Sequence, residues 1–217
     1  MHIPRRVLFV LLLATLAGRS EPSAAGARPA AGTAKSQAAF PMMIVKPLVQ
    51  GTQVGKQMFK PGDTSRGGQG QTIDGISAAG AEALVYHIHA HLSLFYRGQQ
   101  VAVPYGIGIV APRDVRNGFV GNGSAFYWMH THDATGIIHI ESPVDRRFTL
   151  GQFFDIWGEP LQDGDVAGLK GTMHAFVDGV PYSGDPRGIK LRPHAQITLE
   201  VGRPVMAPPA YSFPKGL

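Results

Sequence analysis

Tyr86-His87-Ile88-His89-Ala90-His91-Leu92-Ser93-Leu94 sets three histidines at every second position. A β-strand turns successive side chains to opposite faces, so residues two apart share a side. Read this way, His87, His89 and His91 line one face, while Ile88, Leu92 and Leu94 mostly serve the other. The pattern recurs in Trp128-Met129-His130-Thr131-His132-Asp133 and in Ile137-Ile138-His139-Ile140-Glu141. Six of the nine histidines fall between positions 87 and 139, and this clustering is the main functional clue.

Around this stretch the sequence reads as short elements joined by turns. Leu84 to Tyr96 is expected to be a strand, with Arg97-Gly98 turning it into Gln99–Val103. Tyr105-Gly106-Ile107-Gly108-Ile109 leaves one face almost bare, which suits close packing of backbone more readily than a ligand. Strands are expected over Ala125–His130 and Ile137–Glu141. Thr149-Leu150-Gly151-Gln152 has the form of a capping box, and Leu150, Phe153, Phe154 and Trp157 give the helix an apolar stripe. Gly158 and Pro160 stop it. Asp178-Gly179 marks a second hairpin, and Gln196–Val201 alternates as a last strand. The expected class is α+β: a mixed β-sheet with one short capped helix, β-grasp-like, with a β-sandwich carrying one helix as the alternative.

Residues 1–25 read as a signal peptide, with Arg5-Arg6 ahead of the apolar run Val7–Ala17. That run is far short of the ~20 residues a membrane-spanning helix needs. Residues 26–80 are expected to be a flexible linker and lead-in segment, 81–203 the single metal-binding domain, and 204–217 an irregular tail. The protein is therefore expected to be exported, periplasmic or extracellular, with no stable membrane insertion once the signal is removed.

The formal charge is +5, and Arg5, Arg6 and Arg19 outnumber Glu21 in the first 25 residues, which leaves +3 for the remainder. No dense Lys/Arg run appears there, so nucleic acid is not an expected partner. Cysteine is absent, which excludes disulfides and thiolate metal sites. A metal must then be bound by histidine, carboxylate, methionine or backbone oxygen.

Imidazole nitrogen suits Zn, Cu, Ni and Fe, and His-x-His on a strand lets two rings meet one ion. His89, His91, His130 and His132 are the first candidates as ligands, with His87 and His139 next. Asp133 and Glu141 are candidate carboxylate ligands or tautomer-fixing partners, and the acid/base groups if the site is catalytic. Asp133 also fits an ordinary turn, Asp-Ala-Thr-Gly, in which it caps its own backbone. Met129 points away from His130 on a strand, so a copper–thioether pair is not expected. His174 and His194 read as structural.

The runs Tyr86–Phe95, Tyr127–Pro143 and Phe148–Gly158 together resemble a family of uncharacterised exported proteins of bacteria and archaea, over roughly Gly75 to Gly202. The resemblance implies export but supplies no activity. Three function classes remain open. The first is an exported transition-metal-binding protein, for Cu(II) or Zn(II). The second is a metalloenzyme with an open coordination position, and the third a metal-free recognition module that switches with pH.

Overall fold

An eleven-residue strand carries more backbone donors and acceptors than one neighbour can satisfy, and here three strands share them. The computed structural model describes residues 45–62 and 66–217, so the expected signal peptide and the first part of the linker lie outside the described residues. Strand β1 (Tyr86–Tyr96) turns through Arg97-Gly98 into β2 (Gln99–Val101). Both turn residues have positive φ, 50° and 78°, as a two-residue hairpin of the I′ kind requires. The main sheet then takes β3 (Met129–His130) and β4 (Ile137–Ser142), and after helix α1 (Leu150–Trp157) it takes β5 (Met173–Val177), β6 (Val180–Tyr182) and β7 (Gln196–Val201). Its order is β6-β5-β7-β1-β4-β3, with β2 on the end of β1. Strands β7 and β1 run parallel and the other neighbours antiparallel. The class is α+β, with a mixed sheet and one α-helix among the described residues.

One face of this sheet is apolar. Register sets Ala90 beside Ile138, Leu92 beside Ile197, and Leu94 beside Leu199. All six belong to the same core as Leu150, Phe153, Phe154, Ile156 and Trp157 of α1. The helix starts where the sequence indicates. The Thr149 side chain accepts from Gln152 N, and the Gln152 side chain accepts from Thr149 N. Gly158 ends it at φ 80°, donating its N–H to Phe154 O.

The opposite face carries His87, His89, His91 and Ser93 of β1, His139 and Glu141 of β4, and Thr198 and Glu200 of β7. All except His87 are buried, so this polar face is covered as well. Part of the cover comes from residues expected to be linker and tail. Val45–Pro47 pairs in parallel with Ala210–Ser212, and Leu48, Tyr211 and Ile137 of β4 form a small separate core.

The stretch Ala125–His130, expected as one strand, is divided. Ala125–Tyr127 pairs with Ala78–Ala79 and Ile109–Val110 in a small three-stranded sheet, and only Met129–His130 joins the main one. The change occurs at Trp128, whose N–H donates to Ser77 O while its carbonyl accepts from Glu141 N. One residue thus has a hydrogen bond to each side of the seam.

Fully buried in the core, Phe153 is expected to cost about 3–5 kcal/mol when replaced by alanine. Thr149→Ala, which removes one half of the capping box, should cost about 1 kcal/mol. Urea titration followed by circular dichroism should show both as lower midpoints at unchanged slope.

Candidate metal centre

The register of three strands assembles the site. His139 on β4 lies opposite His89 on β1 and opposite His130 on β3, which makes one row of three imidazoles. In the next row Glu141 lies opposite His87. His132, two residues beyond His130, closes the group. Ring centroids are 4.6 Å apart for His89–His139 and His132–His139, and 4.7 Å for His87–His89 and His130–His132.

His130 and His132 owe their positions to the glycine-rich stretch before them. Between them, Thr131 donates its hydroxyl to Pro104 O and accepts from Ile107 N, and its own N–H donates to Ile107 O. Gly106 N donates to Thr131 O. Gly108 sits at φ +69°, and a Cβ there would lie 2.2 Å from Met129 O. The bare face of Tyr105–Ile109 is therefore a close backbone packing surface that pins the His130-Thr131-His132 segment.

The tautomers follow from the partners. His130 Nδ1 is 2.9 Å from Tyr127 O, and His132 Nδ1 is 2.6 Å from Val120 O. A carbonyl only accepts, so each Nδ1 carries a proton, and in the neutral ring Nε2 presents a lone pair. Those two Nε2 atoms lie 3.0 Å apart. Two acceptors that close repel each other unless a cation or proton lies between them. A second pair, His87 Nε2 and His89 Nε2, is 3.1 Å apart. Two nitrogen ligands about 2.0–2.1 Å from one tetrahedral ion would be separated by roughly 3.3 Å.

Burial keeps the inner rings neutral. It pushes His130 down to about 3, helped by the charges His132 and His139 would carry. It pushes His89 down to about 4, with His87 adding to the effect, and lowers His139 well below the ordinary value. Amid these neutral rings stands a buried carboxylate. Glu141 Oε1 is 3.2 Å from His87 Nε2 and 3.5 Å from His139 Nδ1. Its Oε2 is buried with no hydrogen-bond partner. A neutral lone-pair donor set around an incompletely paired carboxylate is chemically suited to a cation. Among the described residues, His87, His89, His139 and Glu141 form one group able to hold a metal ion, and His130, His132, His139 and Glu141 form another.

His91 stands outside both groups. It lies one row further along β1, opposite Ile137, with Nε2 donating to Thr135 O at 2.9 Å and its ring against Tyr211. Asp133 is occupied by its turn, accepting from Gly51 N, Thr135 N and the Thr135 hydroxyl. His194 stacks on Phe213 with Nε2 3.0 Å from Leu217 O, and His174 lies opposite Glu200 on the far side of β7.

Glu82 has no counterpart in the sequence reading. Its Oε1 is 3.3 Å from His132 Nε2 and 3.9 Å from His130 Nε2. Desolvation raises its pKa, and the nearby Glu141 charge raises it further. It comes from the irregular residues before β1, where no periodicity could announce it.

No protein-family model, curated protein or solved structure matches the chain.

Gly108→Ala forces backbone movement at Met129, so it should lower stability and disturb the His130 ring resonances in NMR spectra, whereas Gly121→Ala, in open space, should do neither. Acid should destabilise the metal-free protein over a defined window. His91 titrates near 4 when folded, because burial disfavours its charge, and near 6.5 when unfolded. Below about 6.5 the unfolded chain binds more protons, so stability falls as pH falls, by on the order of 3 kcal/mol for this ring by pH 4. His89 and His130 act in the same direction. Urea midpoints measured from pH 7 to pH 4 should decline throughout.

Proposed function

We propose that this is an exported protein that binds a transition-metal ion, Cu(II) or Zn(II), through its histidines, and serves to sequester or deliver it. The observation that carries the reading is the His130/His132 pair. Both Nδ1 atoms are committed to carbonyls, both Nε2 lone pairs converge at 3.0 Å, and the unpartnered Oε2 of Glu141 lies 3.8 Å from His130 Nε2. The donors are nitrogen and oxygen, cysteine is absent, and Met129 is buried in the core on the helix side. That donor set favours divalent copper or zinc over Cu(I). Of the two candidate acid/base groups, Asp133 is engaged in holding a turn, which leaves Glu141 alone for such a role.

Export is supported by the sequence of residues 1–25 and by the motif resemblance. No helix among the described residues is long and apolar enough to cross a membrane. A β-grasp-like core is supported by the order β2-β1-β7-β5-β6, in which two hairpins flank a parallel central pair and the helix lies between them in sequence.

The test is direct. The full chain, purified without a nickel column and freed of any tag, is expected to carry or take up at least one equivalent of copper or zinc by mass spectrometry. Less than about a tenth of an equivalent, with no uptake on titration, would overturn the reading. Metal at a thousandfold excess over its dissociation constant should stabilise the fold by about 4 kcal/mol, and a chelator should reverse this. The double variant His89→Ala/His130→Ala should lose that stabilisation.

A further inference from the structure

The donors of this centre do not converge on one point. Among the described residues they fall into two overlapping groups, one containing the pair His87/His89 and the other the pair His130/His132, with His139 and Glu141 common to both. Within each group the donor atoms lie within 4.8 Å of one another, but the two pairs are not gathered into a single group. With bonds of about 2.0–2.2 Å, one ion spans no more than roughly 4.4 Å between opposite ligands. One ion therefore satisfies one pair at a time.

Glu141 lies between the pairs and offers a different oxygen to each. Its Oε1 is 3.2 Å from His87 Nε2, and its Oε2 is 3.8 Å from His130 Nε2. The residue is 4% exposed, and that Oε2 has no hydrogen-bond partner. A buried carboxylate with one oxygen toward each of two imidazole pairs has the disposition of a bridging ligand. Ions bridged in this way sit about 3.5–4 Å apart. Glu82 adds a second carboxyl group beside Glu141, 3.3 Å from His132 Nε2 and at a rim where its side chain is 34% exposed.

We propose that the centre is binuclear: His87 and His89 hold one ion, His130 and His132 hold a second, Glu141 bridges them, and Glu82 completes the shell of the second. This deepens the metal-binding reading above and rests on it. Of the four histidines His87 is the most exposed, with 37% of its side chain accessible against 0% and 9% for His130 and His132, so the first ion is the more exchangeable. The first is held by residues of β1 and by the bridge from β4.

Stoichiometry and spin coupling test the proposal. Metal-free full-length protein titrated with Zn(II) should bind two equivalents. With Cu(II), one equivalent should give an isolated electron-paramagnetic-resonance signal, and the second should broaden or diminish it, because two spins a few ångströms apart couple. Glu141→Gln, which keeps the shape but not the charge, should lose the coupling or the second ion. Glu82→Gln should weaken the second ion by tenfold or more and leave the first unchanged. His87→Ala/His89→Ala and His130→Ala/His132→Ala should each retain one equivalent. A single equivalent in the parent protein, abolished by either double variant, would overturn the binuclear assignment and leave metal binding intact. Uncoupled signals at two equivalents in the parent would overturn the bridge. No uptake at all would sink the metal-binding reading itself. Should a double variant fail to fold by circular dichroism, the parent stoichiometry and the two Gln variants still decide.

Discussion

Every feature of the site depends on how β4 is registered between β1 and β3. Because strand side chains alternate, His139 can face both His89 and His130 only if the three residues are paired in the same row. A slip of one residue along β1 would turn Ile138 and Ile140 to the polar face and His139 and Glu141 toward α1. That would place two ionisable groups in an apolar core and several isoleucine methylenes against imidazoles. The apolar packing of α1 on Ala90, Ile138 and Ile140 therefore fixes the geometry of the opposite face. The same register serves both the core and the centre.

Around that register the backbone sets protonation. Tyr127 O and Val120 O each engage one nitrogen of a ring, which leaves the other nitrogen of that ring no choice but to act as an acceptor. For His130, desolvation then removes the alternative of simply charging the ring. The clamp on Thr131 by Pro104, Ile107 and Gly106 holds these carbonyl–ring contacts in place from behind. Rigid ligands of this kind enter a bound state already oriented, so little ordering entropy opposes binding.

Local signals in the chain announce the parts of the fold that are themselves local. Alternation over Tyr86–Leu94, the turn residues Arg97-Gly98 and Asp178-Gly179, and the Thr149/Gln152 cap are all resolved within a few residues, and each element forms where it is expected. What the chain does not announce is fixed by residues far apart in sequence. His91 shares a face with His87 and His89, but only the pairing with Ile137 places it one row beyond the cluster. Trp128 looks like the middle of a strand, yet its two backbone groups are claimed by Ser77 and Glu141. Glu82 reaches the rings from an irregular segment some fifty residues before His132. Val45–Pro47 and Ala210–Ser212 are three-residue strands that become strands only in each other's company.

That last pairing bears on the order of events during synthesis. The central neighbour of β1 is β7, about a hundred residues later, and Tyr211, which covers His91, emerges later still. A nascent chain that has delivered β1, β3 and β4 possesses all the imidazoles of the centre but neither the strand that completes the sheet nor the segment that seals its polar side. Non-local pairing of this kind closes late and slowly. All the imidazoles of the centre are thus on the chain before Tyr211 arrives to cover His91.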